Sequence, residues 1–303
     1  MERNSSRRST AKKPGRSVQG RSERISGGSR PMRGTQSRSG ERRFTKRTSG
    51  KPETPRKPAV KEADGLVRLN RFIANSGVCS RREADKYIET GAVTVNGVTV
   101  TELGVRIDPS KDDVRFNTMK LRGEKKVYIV MNKPKDYVTT LSDPHAEHTV
   151  MELISKTKCP ERVVPVGRLD RATTGVLLFT NDGDLTEKLT HPSHEVKKIY
   201  HAFLDKELIK GDMEKITKGI YLEDGPIAAD AISYVDDDKC QVGLEIHSGR
   251  NRIVRRIFES LGYKVKKLDR VYFAGLTKKN IRRGEWRFLT DKEVSMLKMG
   301  AFE

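Results

Sequence analysis

Asp170 is the residue on which chemistry could be built. It stands in Gly167-Arg168-Leu169-Asp170-Arg171-Ala172-Thr173-Thr174-Gly175, directly ahead of the apolar run 176–180. By itself this segment reads equally well as a surface turn with an exposed arginine–aspartate pair, which contributes little to stability. A carboxylate held at the start of a buried strand can instead serve as a nucleophile or a base. Two other features belong with it: Tyr200 in the alternating run 196–204, and a basic helical stretch over 250–261. One carboxylate with an aromatic side chain and a cation suits chemistry on a base that has to be stacked, held and attacked. It suits glycoside hydrolysis by paired carboxylates poorly.

Other chemistries lack their residues. His145 with His148, and His191 with His194, lie in proline-bearing loops with no cysteine nearby, so no metal is expected. No Gly-x-x-x-x-Gly-Lys loop or dinucleotide fingerprint calls for a nucleotide cofactor. Cys79, Cys159 and Cys240 are far apart, which argues against a disulfide framework and for a cytosolic setting. No apolar run reaches the 18 or so residues of a membrane span.

The elements that must position these residues fall into segments. Residues 1–64 hold 19 Lys or Arg against 6 Asp or Glu, most of the net charge of +20, with few large apolar side chains. Burial cannot offset the entropy of ordering such a segment, so it reads as a disordered basic arm attracted to phosphate. Over 65–113, Leu69, Phe72 and Ile73 recur at helical spacing; Ser80 with Glu83 forms a capping box for a second helix; and Asn96-Gly97 sits between two alternating runs as a hairpin turn. Residues 114–124 read as a linker. Residues 125–303 mix strand and helix patterns irregularly, with strands expected near 127–131, 176–179, 196–204, 231–235, 241–247 and 286–289. The fold class is α+β: a small helix–helix–hairpin domain, then a larger mixed domain with a mainly antiparallel sheet.

The first unit carries Arg68-Leu69-Asn70, Ser76-Gly77, Ser80-Arg81-Arg82-Glu83-Ala84, Ile88, Gly91 and Val93-x-Val95-Asn96-Gly97, with Gly104 beyond. It resembles the RNA-binding domain named after ribosomal small-subunit protein four. That resemblance implies docking on structured RNA with Arg68, Arg71, Arg81, Arg82 and Lys86 on phosphates, contacts that position rather than specify.

The second unit carries Asn132-Lys133-Pro134, Gly167-Arg168-Leu169-Asp170, Thr174-Gly175, Lys198-x-Tyr200 and Gly249-Arg250-Asn251-Arg252-x-Val254-Arg255-Arg256. Over residues 67–300 the chain is similar to the RsuA/RluB family of RNA pseudouridine synthases. His191-Pro192-Ser193, Leu222-Glu223-Asp224-Gly225-Pro226 and Arg250-Asn251-Arg252 look more like the large-subunit rRNA enzymes of the family than the small-subunit ones. Ile253 departs from the pattern, since family members commonly have Gln there.

The resemblance implies isomerisation of uridine in ribosomal RNA, in the large subunit (23S), without metal or organic cofactor. Asp170 would initiate it, as nucleophile or as base at the sugar, with Arg255 favouring its charged form. Tyr200 would stack on the target base and assist proton removal. Extrusion of the base is expected, with Arg168 filling the gap, and Gly167 and Gly175 would let the backbone turn closely around the site. Lys133, Arg250, Arg252 and Arg256 are placed on the RNA. The partner implied is ribosomal RNA or a subunit-assembly intermediate, met by a cytoplasmic monomer. The alternatives are a non-catalytic rRNA-binding or assembly protein, which has no need of Asp170, Tyr200 and Arg255 together, and the same chemistry on small-subunit rRNA.

Overall fold

The computed structural model describes residues 65–301; the basic arm expected over 1–64 lies outside them. β1 (Val67–Arg68) leads into α1 (Leu69–Asn75). α2 (Arg81–Glu89) has the expected box, the Glu83 amide donating to Ser80 Oγ at 3.3 Å and the Ser80 amide to the Glu83 carboxylate at 2.7 Å. β2 (Val93–Val95) and β3 (Val98–Thr99) close around Asn96 and Gly97, whose φ values of 52° and 83° are those a two-residue hairpin turn requires. β4 (Arg106–Ile107) pairs with β1.

The linker expected over 114–124 is a correction. β5 (Val114–Phe116) pairs with β2, and β6 (Met119–Lys120) with β5, completing a four-stranded sheet in the order β3-β2-β5-β6. Val114 and Leu121 are buried with Leu69, Ile73, Ala84 and Ile88. Charge concealed these strands: Arg115 and Lys120 project outward and both pair with Asp113.

The larger unit begins with β7 (Tyr128–Lys133), followed by β8 (Val164–Pro165), β9 (Thr173–Thr180), α3 (Gly183–Thr190), β10 (Lys198–Leu204) and α4 (Lys210–Lys218). β11 (Ile220–Leu222) and β12 (Gly225–Ile227) make a separate small hairpin. Next come β13 (Ala231–Val235), β14 (Asp238–Ile246), α5 (Ile253–Ser260), β15 (Val265–Phe273), β16 (Leu276–Thr277), β17 (Trp286–Phe288) and α6 (Asp291–Met299). The main sheet runs β13-β14-β10-β15-β9-β7-β17, with β8 on β9 and β16 on β15. As expected it is mainly antiparallel; among the described strands only β9 and β15 pair in parallel.

Helices on the two faces explain why the central strands are continuously apolar. In β7, Ile129 and Met131 enter one core with Ile216 of α4 and Ile253, Val254, Ile257 and Phe258 of α5. Tyr128 and Val130 enter the other with Leu185 and Leu189 of α3 and Leu297 of α6. A strand buried on both faces loses the alternation of a half-exposed one. The basic stretch over 250–261 is helical only from Ile253; Arg252 before it is left-handed, at φ 48°. β15 was not expected, because Lys266, Lys267, Asp269 and Arg270 interrupt its apolar pattern. It is nonetheless the strand that joins β10 to β9.

Candidate active site

Asp170 lies in the turn that enters β9, and its side chain is 31% exposed. The turn is clamped from beneath. Lys133, at the end of β7, is 0% exposed, and its Nζ donates to the carbonyls of Thr173 (2.9 Å), Pro134 (3.0 Å), Asp170 (3.2 Å) and Arg171 (3.3 Å). Burial pulls the Lys133 ammonium down to about 8, against the opposing charge of Asp170. On the other side, buried Thr139 donates from Oγ1 to the Leu169 carbonyl at 2.8 Å and accepts from the Leu169 amide at 3.3 Å. Lys133 is therefore corrected from an RNA contact to the scaffold of the Asp170 turn. Thr139, in an unremarkable loop, carried no signal.

The carboxylate finds its cation far along the chain. Arg255, on α5 and buried, brings Nε to 4.0 Å from Asp170 Oδ2 and anchors itself by donating from Nη1 to the Val265 carbonyl at 2.8 Å. Burial pushes the Arg255 guanidinium below the ordinary arginine range, as does the like charge of Arg252, while Asp170 opposes both. Among the described residues, Nε and Nη2 of Arg255 have no hydrogen-bond partner.

Asp170 opens into a cleft of about 700 Å³ whose walls include Arg168, Lys198, Tyr200, Arg250, Arg252, Ile253 and Arg270. Tyr200, on β10, is 9% exposed; it packs in the core beneath the site and also lines the cleft. Arg168 is exposed at the rim, and Gly167 beside it has φ 73°. Arg250 Nη1 donates to the Gly225 carbonyl at 3.3 Å, and Arg252 pairs with Glu259 at 3.4 Å. Lys198 Nζ donates to the carbonyls of Val196 (2.6 Å) and His247 (2.7 Å); burial, then the charge of Arg270, brings it down to about 8. The cations outnumber Asp170, Glu195 and Asp230, so the cleft favours a polyanion. Among the described residues no three His, Cys, Asp or Glu side chains are grouped as metal ligands are.

Other expected contacts stand elsewhere. Arg256 does not face the cleft: it forms a two-bond fork on Asp224 at 2.7 and 2.8 Å, tying α5 to the β11–β12 turn, and holds the Asp224 carboxyl below the usual carboxylate range. Arg71 of α1 pairs with Asp184 of α3, while Arg68, Arg81, Arg82 and Lys86 are exposed. Gly175 is buried, at φ 109°, where β9 and β15 meet; a Cβ there would overlap the backbone of Arg270. It serves sheet pairing beneath the site and is corrected from an RNA contact. Gly175→Ala is expected to cost about 3 kcal/mol through strain and overpacking. Thermal unfolding should show a midpoint about 10 °C lower; an unchanged midpoint would contradict the role given to Gly175.

The geometry is matched by kinship. A profile described as RNA pseudouridylate synthase matches residues 127–260, and the S4 domain matches residues 67–114. The ribosomal large subunit pseudouridine synthase B of Bacillus subtilis (strain 168) is 39% identical over 77% of this chain and 96% of its own length. The chain belongs to the RNA pseudouridine synthase family. The dual-specificity synthase RluF of Escherichia coli (strain K12) is 35% identical over 76% of this chain and 78% of its own. A crystal structure of a pseudouridylate synthase superposes with a TM-score of 0.55 at 30% identity, covering 76% of this chain and 99% of the other. As a pseudouridine synthase, the protein is an RNA-modifying isomerase with an S4 domain ahead of its catalytic domain. Among its described residues no helix is long and apolar enough to cross a membrane.

Proposed function

We propose that this synthase isomerises a specific uridine of large-subunit ribosomal RNA, acting as a cytoplasmic monomer on the RNA or on an assembly intermediate. The observation that carries the chemistry is that Asp170 and Tyr200 line one cleft while buried Arg255 faces the Asp170 carboxylate. The likeness to the Bacillus subtilis large-subunit enzyme supports the choice of RNA.

A base stacked within folded RNA cannot reach Asp170, so it is extruded at a cost of a few kcal/mol. Arg168 fills the gap in this reading, which its exposure at the rim supports, its planar guanidinium able to stack as well as pair. Asp170 opens the reaction at the sugar, either attacking the anomeric carbon or removing a ribose proton, with Arg255 balancing its charge. The uracil then turns against Tyr200 and rejoins the ribose through its carbon five (C5). Tyr200 accepts the proton that C5 gives up. Ile253 presents an apolar surface where relatives commonly have Gln, so the base meets one polar group fewer there.

The test is to incubate the protein with separate large- and small-subunit rRNA transcripts and map pseudouridine by carbodiimide-dependent reverse-transcription stops. Modification in the large-subunit transcript is expected. Modification confined to the small-subunit transcript would overturn the subunit assignment, and inertness on both transcripts and on isolated subunit-assembly intermediates would overturn the ribosomal one.

Residues 1–64 are assigned to non-specific RNA attraction. Their deletion is expected to raise the KM for RNA with kcat unchanged, and to flatten the salt dependence of binding, because fewer counterions are released. Equal affinities of full-length and shortened protein at low and moderate salt would remove that role.

A further inference from the structure

Arg270 is a buried cation that the chemistry above leaves unused. It is 3% exposed, lies directly opposite Tyr200 in the antiparallel pairing of β10 with β15, and lines the cleft beside it. Its Nε donates to the Val176 carbonyl at 2.9 Å, and its guanidinium carbon lies 4.4 Å from the centroid of the Phe273 ring. Burial lowers the Arg270 guanidinium below the ordinary arginine range, and the neighbouring Tyr200 phenol opposes this. Among the described residues, Nη2 has no hydrogen-bond partner. Burying a cation without a carboxylate is costly, so stability alone does not account for an arginine at this position. Each buried arginine near the cleft has its own reacting group: Arg255 has Asp170, and Arg270 has Tyr200.

We propose that Arg270 is a positioning residue for Tyr200, aiming the phenol oxygen at the target base and stabilising the negative charge this oxygen carries when it takes the C5 proton. This rests on the reading of Tyr200 as the proton acceptor. In that step the C5–H bond breaks and the proton passes to the Tyr200 oxygen. The electron pair becomes the C5–C6 double bond, and the displaced C6–N1 pair settles on N1. N1 then gains a proton from solvent while the phenol releases its own. Substrate and product are isomers, so no co-reactant is consumed. The bond to the Val176 carbonyl fixes the plane of the guanidinium and leaves its other N–H groups for the phenol. At a water-poor wall a fixed cation acts on such charge far more strongly than in bulk water.

The test compares wild type, Arg270→Lys, Arg270→Met, Tyr200→Phe and the Arg270→Met, Tyr200→Phe double variant. One substrate is a large-subunit rRNA transcript tritiated at uridine C5; the other is the same transcript made with 5-fluorouridine. Tritium release reads the loss of the C5 proton. Fluorouridine conversion reads glycosidic cleavage and rejoining, because its C5 has no proton to lose. Arg270→Met should slow tritium release about 10²-fold, within the range of general acid–base effects, with fluorouridine conversion near wild type. Arg270→Lys should recover part of the loss, and the double variant should be no slower than Tyr200→Phe. Equal losses in both assays would mean a merely structural arginine and overturn the proposal, as would losses that multiply in the double variant. Wild-type tritium release by Tyr200→Phe would instead remove Tyr200 as acceptor, and the proposal with it.

Discussion

Asp170→Asn is expected to abolish pseudouridine formation, with a loss of about 10⁴-fold or more, as befits a group the reaction cannot bypass. The amide keeps the shape of the side chain and the backbone clamp from Lys133 and Thr139, but it cannot act as nucleophile or base at the sugar. Stability should change by no more than about 1 kcal/mol, because the carboxylate is 31% exposed and its contact with Arg255 is 4.0 Å long. RNA affinity should hold, since the cleft cations and the exposed arginines of α2 remain. Carbodiimide mapping and a filter-binding titration on one transcript separate these outcomes. Full isomerisation by Asp170→Asn would remove Asp170 from the chemistry.

Lys133→Met is expected to have the second-largest effect, by a different route. Methionine fills much of the same space but supplies no N–H, so the part-buried carbonyls of Pro134, Asp170 and Arg171 and the buried one of Thr173 lose a shared donor. Stranded buried acceptors cost about 1–3 kcal/mol each before relaxation, so a net loss of about 4 kcal/mol is expected. The Asp170 turn should loosen as well, and a carboxylate displaced by about 1 Å can cost on the order of 10²-fold in kcat. Urea unfolding reads the first effect and single-turnover rates on folded protein read the second. A variant with wild-type stability and kcat would remove the scaffold role given to Lys133.

Signals confined to a few consecutive residues were legible in the sequence. The Ser80–Glu83 box, the Asn96-Gly97 turn and the buried run of β9 announce themselves because their partners lie close in sequence or their pattern is continuous. The Asp170 motif was legible in the same local way, whereas Arg255 and the roles expected of Asp170 and Tyr200 came from the family resemblance, which links segments 85 residues apart that no local rule connects. β5, β6 and β15 escaped, since strands with one exposed face can carry Arg115, Lys120, Lys267 and Asp269 and so lose their apolar signature.

By itself the sequence determined the composition of the site: one carboxylate, one tyrosine and a surplus of arginines, in a chain basic enough to seek RNA. Only the tertiary structure decided which cation serves which group. It placed Lys133 beneath the Asp170 turn, gave Arg256 to Asp224, required Gly175 so that β9 could meet β15, and brought Arg255 to Asp170 and Arg270 to Tyr200. The physical reason is that arginines and lysines of similar intrinsic chemistry differ in function through burial and nearest partner, and both are set by strand register and helix packing rather than by neighbours in sequence.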